Sequence, residues 1–245
     1  MAISIISAAG GSGRSTLVAG LADVLRRHGR PVLAVDFDPQ NSLALKLGIV
    51  PAPAEGLASR GLLGGDWQAT ARTNSDRIQF LPFGRLDRDG LRRFEALLAE
   101  QPRWLAQRLG ALDLPADTAV LIDTPRLPSV YADQAITAAG LQLAILRADA
   151  ASYAALRMFG APGSTPLLYV LNKVEATHRL QNDVRALLRQ DLGERLAPYP
   201  VHRDESVPEA EAANRSLIDY AVHSQAAYDL QGLGSWLHAA LARLD

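Results

Sequence analysis

The sequence has no cysteine, which excludes disulfides, thiolate-bound metals and cysteine nucleophiles together. Lysine is nearly absent too. Of the 25 cationic residues only Lys46 and Lys173 are lysines, and the others are arginine. Charge of one sign is also missing: 26 acidic residues leave a net −1 at pH 7, so nothing points to nucleic acid or anionic lipid. No apolar run approaches the ~20 residues that span a bilayer. The apolar stretch Ile3 to Ile6 is too short for a signal-peptide core and has no basic residues before it. A cytoplasmic protein is therefore expected. His28, His178, His202, His223 and His238 show no metal-ligand spacing, and no serine sits in a Gly-x-Ser-x-Gly turn. These absences argue against a histidine metal centre and against serine-hydrolase chemistry.

What is present is ordered. The chain has 245 residues, 48% of them hydrophobic, enough for the core of one α/β domain over residues 1–245. Ile3 to Ile6 reads as a buried strand. Gly10, Gly11, Ser12 and Gly13 follow as a tight turn, and Arg14, Ser15 and Thr16 open a helix whose face carries Leu17, Leu21, Val24 and Leu25. A strand, a glycine loop and a helix start cradle phosphate, because successive N–H groups and the positive end of the helix dipole face one concavity. Glycine permits φ > 0 and close approach of the backbone to the anion.

Further apolar runs read as strands at Pro31 to Val35, Ile78 to Phe83, Ala119 to Ile122, Leu141 to Leu146 and Leu167 to Leu171, with a short one at 199 to 201. Helices are expected from 88 to 110, kinked or split by Pro102, and near 151 to 159, 178 to 191, 206 to 213 and 223 to 243. Continuous apolar strands alternating with helices predict a doubly wound, mainly parallel sheet buried on both faces. Ligands bind such sheets at the carboxyl ends of the strands. There the sequence places the glycine loop, Asp36 and Asp38, Asp123, and Asn172.

Those groups suit a magnesium nucleotide. The N–H groups of Gly11, Gly13, Arg14 and Ser15 supply donors, the Ser15 hydroxyl ligates Mg²⁺, and Thr16 bonds an α-phosphate oxygen. Asp123 reaches the metal through water, Asp36 holds the metal shell, and Asp38 orients an attacking water. Alternatively, Asp36 and Asp38 cap a helix and Asp123 forms a turn before Thr124-Pro125. A dinucleotide fingerprint fits Gly11, Gly13 and Asp36 but fails at Thr16, where its third glycine belongs.

Ala9-Gly10-Gly11-Ser12-Gly13-Arg14-Ser15-Thr16, Asp36-Phe37-Asp38-Pro39-Gln40-Asn41 and Leu121-Ile122-Asp123-Thr124-Pro125 resemble the deviant-Walker-A ATPases of the ParA/MinD superfamily. Ala34 to Leu43, Phe80-Leu81-Pro82-Phe83-Gly84 and Val201-His202-Arg203-Asp204-Glu205 resemble, more narrowly, the accessory proteins of bacterial cellulose synthesis, the BcsQ (YhjQ) family. The resemblance implies ATP or ADP with Mg²⁺ and a nucleotide-sandwich homodimer. It also implies cytoplasmic partners in a cellulose synthase complex at the inner membrane, which the protein would reach only through those partners. Asn172 would read adenine, with Pro200, His202 and Asp204 beside the base.

Two positions depart from the superfamily. Its signature lysine falls on Ala9, and its in-loop lysine falls on Arg14. Arginine is a planar, forked donor and not a compact point charge. Alanine supplies no charge to a partner's phosphates, and such cations are worth about 10³–10⁵ in rate. The expectation is nucleotide binding with slow or absent hydrolysis, with Arg126 or Arg147 as replacement cations. The alternatives are a DNA-partitioning ATPase of the same fold, which net charge −1 disfavours, and a pseudo-ATPase acting only through protein contacts. The C-terminal stripe Leu233, Trp236, Leu237, Ala240, Leu241 and Leu244 reads as core packing and not as a membrane helix. Arg85, Arg88, Arg92, Arg93, Arg103 and Arg108 alternate with acids, as on a solvated or protein-binding face.

Overall fold

A computed structural model describes residues 1–159 and 165–243; Leu244 of the terminal stripe lies outside them. Among the described residues seven strands form one sheet: β1 (Ala2–Ile6), β2 (Val32–Asp36), β3 (Arg72–Thr73), β4 (Gln79–Leu81), β5 (Ala119–Asp123), β6 (Leu141–Leu146) and β7 (Leu167–Leu171). Their order is β3-β4-β2-β5-β1-β6-β7, and β3 alone runs antiparallel, to β4. Helices cover both faces, so the strands bury alternate residues in opposite directions. In β2, Val32 and Ala34 join the core with Ile3, Ile5 and Leu21, whereas Leu33 and Val35 join Phe37, Phe94 and Trp104. A third cluster lies under β6 and β7, where Leu146 and Leu171 meet Val184 and Leu188.

The helix after the glycine loop, Arg14–Arg27, packs on the last long helix, Gln225–Leu241. Gly234 makes the approach feasible, because a Cβ there would stand 2.4 Å from Val24 Cγ1. The described part of the C-terminal stripe is core: Leu233, Leu237, Ala240 and Leu241 are buried and Trp236 packs against them. Each fully buried leucine contributes about 1.5–3 kcal/mol. No helix among the described residues is long and apolar enough to cross a membrane.

Residues 88 to 110 form two helices, Arg88–Glu100 and Trp104–Gly110, split at Pro102 as expected. Other elements differ from the sequence reading. Residues near 151 to 159 form an α-helical turn, Ala150–Ala154, and then a 3₁₀ turn, Ala155–Phe159. The helix Val130–Ala138 and the two-residue β3 were not anticipated. No strand forms at 199 to 201. That segment runs beside β7, tied by Ala197 N–H to Tyr169 O and Val201 N–H to Leu171 O, but Pro200 has no N–H to extend a ladder.

Candidate functional site

Parallel strands bring the carboxyl ends of β1, β2, β5 and β7 to one edge, with Asp36 of β2 in register with Asp123 of β5. Beyond β1 the chain turns through Gly11 (φ 66°) and Gly13 (φ 86°), both left-handed. Gly13 is the N-cap of the helix Arg14–Arg27, and no side chain caps it. The first-turn N–H groups of Arg14, Ser15 and Thr16 have no partner within a helix and face whatever enters the loop.

The loop is braced from the end of β7. Asn172, buried, donates from Nδ2 to the Ser12 carbonyl at 2.7 Å, and Lys173 Nζ donates to the Gly11 carbonyl at 2.9 Å. Burial, followed by Arg147 and Arg203, lowers the Lys173 pKa. Ser12 Oγ donates to Ser7 Oγ at 3.0 Å, while Gly10 is exposed.

The acids play distinct parts. Asp36, expected in the metal shell, instead has both oxygens committed to backbone: Oδ1 accepts from Asp38 N–H at 3.1 Å and Oδ2 from Leu43 N–H at 2.9 Å. Burial, then the Asp123 charge, still raises its pKa well above the ordinary range. Asp38 Oδ1 accepts from Gln40 N–H at 2.9 Å, and its Oδ2 lies 3.9 Å from Arg14 Nη2. Asp123 is fully buried, and neither oxygen accepts a hydrogen bond of ordinary geometry among the described residues. Burial pushes its pKa up to about 7, although the adjacent Ser15 hydroxyl and the Arg14 guanidinium draw it down. An orphaned buried carboxylate beside a hydroxyl at the mouth of a phosphate loop suits a hard cation with oxygen ligands. No three His, Cys, Asp or Glu side chains among the described residues converge on a metal. Mg²⁺ would then be held by Ser15 and Asp123 together with phosphate and water.

Arg14 does not point into the cleft. Its Nε donates to the Thr124 carbonyl at 2.7 Å, and Nη1 donates to Ser7 Oγ and, at 3.4 Å, to the Ala9 carbonyl. Burial lowers its pKa, and Asp123 and Asp38 oppose that. Beside the loop is a cleft of about 420 Å³, lined among others by Gly13, Thr16, Asn172, His202 and Asp204. Pro200 and Arg14 are not among its lining residues. Arg147 lines it and pairs with Asp149 at 3.1 Å, while Arg126 is exposed.

His202 and Asp204 also have structural work. Asp229 Oδ2 meets His202 N–H at 2.9 Å and Nδ1 at 2.8 Å. Asp204 accepts from Ser206 N–H at 2.9 Å and Ala226 N–H at 3.1 Å, tying two helices to the cleft wall. Burial raises its pKa, but these N–H groups and the Ser206 hydroxyl outweigh burial and hold it below the ordinary value. Asp204→Ala is expected to cost about 1–2 kcal/mol. Thermal unfolding should show the difference from wild type in full near pH 7. The difference should fade as pH falls through the depressed folded pKa, because only the carboxylate accepts both N–H groups.

Three cleft contacts were not anticipated: Lys173 on the loop, Lys46 on Glu211, and Glu211 on Thr16. The scarcity of lysine was a signal available in the sequence.

A glycine loop after β1, an aspartate closing β5 and an asparagine following β7 give the sheet edge of a P-loop fold. The fold agrees with MinD of Pyrococcus horikoshii, solved as its complex with Mg-ADP (TM-score 0.78, 20% identity, 100% of this chain and 98% of that one). It also agrees with cobyrinic acid a,c-diamide synthase of Mycobacterium smegmatis with a bound ATP analogue and magnesium (TM-score 0.74, 22% identity, covering 96% and 93%). The model of the family described as cellulose biosynthesis protein BcsQ matches residues 1–237, and the chain belongs to that family. It is 30% identical over 235 residues to the cellulose biosynthesis protein BcsQ of Escherichia coli K12, covering 93% of this chain and 90% of the relative.

Proposed function

We propose that this chain is a nucleotide-dependent, dimeric regulator or scaffold of a bacterial cellulose synthesis and secretion complex. In this reading it binds ATP or ADP with Mg²⁺ and hydrolyses ATP slowly or not at all. The carrying observation is the pairing of Asp123, an orphaned buried carboxylate at the mouth of a preformed glycine loop, with an Arg14 turned onto the Thr124 carbonyl. The first feature supports a magnesium nucleotide. The second supports slow turnover, because the loop's own cation is spent on backbone and Ala9 offers none to a partner copy.

The assigned parts follow from position. The loop N–H groups hold phosphate, Ser15 and Asp123 hold Mg²⁺, which neutralises phosphate charge when bound, and Asp38 orients any attacking water. Asn172, His202 and Asp204 form the base side. The two subunits sandwich the nucleotide, and partner proteins bring the dimer to the cytoplasmic face of the complex.

Sedimentation with and without Mg-ATP, together with phosphate release, tests this. The expected result is an ATP-induced dimer with little phosphate released. The combined variant Ala9→Lys and Arg14→Lys is expected to raise turnover at least tenfold. An unchanged rate would refute the missing-cation argument, and no nucleotide effect on sedimentation would leave a scaffold acting through protein contacts alone.

A further inference from the structure

Both lysines of this arginine-rich chain line the cleft beside the loop. Lys173 spends its ammonium on the Gly11 carbonyl. Lys46, at the end of the short helix Leu43–Lys46, places Nζ 2.5 Å from Glu211 Oε2. The other oxygen of that carboxylate, Oε1, accepts from the Thr16 hydroxyl at 3.1 Å. Glu211 therefore holds an anion between a hydroxyl at the start of the loop helix and an ammonium on the opposite wall. A phosphate would be gripped by the same two donors.

We propose that the Glu211 carboxylate is an internal stand-in for the proximal phosphate of the nucleotide, and that Lys46 is the cation that binds this phosphate once Glu211 is displaced. The proposal rests on the nucleotide reading above and names the residues that grip and guard its phosphate. Glu211 and a phosphate cannot share the position, because two anions at contact distance in a half-buried cleft repel strongly. Displacement is inexpensive. Glu211 sits at the cleft wall with its side chain 29% exposed, and Lys46 is 26% exposed, so a rotamer change carries the carboxylate into water. Lys46 then keeps an anionic partner, trading carboxylate for phosphate as a point charge on a flexible stem.

Calorimetric titration of the full chain with ADP, AMP and adenosine in the presence of Mg²⁺ tests this. Glu211→Gln keeps an amide oxygen for Thr16 and removes the competing charge. It is expected to tighten ADP and AMP about three- to tenfold while leaving adenosine unchanged. Lys46→Ala is expected to weaken ADP and AMP about tenfold, again sparing adenosine, and Lys46→Arg should restore part of the loss. Equal effects on adenosine and AMP would mean that the pair only shapes the cleft, which overturns the proposal. Wild-type ADP binding that neither variant alters overturns it as well, while leaving the nucleotide reading intact. A wild-type chain that binds none of the three ligands overturns that reading and this proposal with it.

Discussion

Replacing Gly13 with alanine is expected to lower stability by about 2–5 kcal/mol and to weaken ADP binding at least a hundredfold. Two costs combine. Residue 13 has φ 86°, and a left-handed conformation costs an L-residue about 1–2 kcal/mol. The added Cβ would also stand 2.4 Å from Asn172 Nδ2, the atom that donates to the Ser12 carbonyl. Either the loop moves or the buried asparagine loses its acceptor, which costs about 1–3 kcal/mol. In thermal unfolding this corresponds to a fall of about 4–20 °C for a chain of this size. Gly11→Ala is the internal comparison. Gly11 is also left-handed (φ 66°) but has nothing within 4 Å of its added Cβ, so only the backbone cost applies. If the two variants lose equal stability, the brace from Asn172 contributes nothing.

The second large effect concerns Asp123 and pH. Its pKa is about 7 in the folded chain against an ordinary value of 3.8, so between those values the folded state binds more protons than the unfolded. Stability therefore falls as pH rises from about 4 to 7, and the full cost is borne above 7. Asp123→Asn is expected to flatten that dependence and to stabilise the ligand-free protein at pH 8, by a few degrees in Tm. Magnesium reverses the preference, because a metal needs the carboxylate. ADP affinity in the presence of Mg²⁺ should weaken about tenfold between pH 8 and pH 6 in the wild type. In Asp123→Asn that pH dependence should vanish, along with about 10–100-fold of the magnesium-dependent affinity. A wild-type titration flat across pH 6 to 8 would contradict an Asp123 whose pKa is pushed up to about 7.

Much of the site's frame was legible because buried parallel strands are continuous apolar runs and the polar residues that end them stand out. Asp36, Asp123 and Asn172 were located that way, and the structure puts them on one edge. The helix Val130–Ala138 escaped notice because its buried face is largely Tyr131, Ala132, Gln134 and Ala135, which give little hydrophobic contrast. Its Ser129 cap, accepting from Ala132 N–H, was the available clue. Side-chain destinations were less legible. Nothing in the spacing of Lys46 and Glu211, 165 residues apart, foretells that they meet. Arg14 sits where a loop cation belongs, yet its Nε is held by a carbonyl that β5 delivers from 110 residues downstream.

The tethers from Asn172 and Lys173 to the Ser12 and Gly11 carbonyls have a kinetic consequence. With those oxygens tied back, the loop is held in shape before a ligand enters, so much of the entropy of ordering it is paid during folding and not at each encounter. If Glu211 guards the phosphate position as proposed, capture waits on diffusion and the swing of that side chain. Residence time becomes the adjustable quantity, set by how quickly individual contacts break.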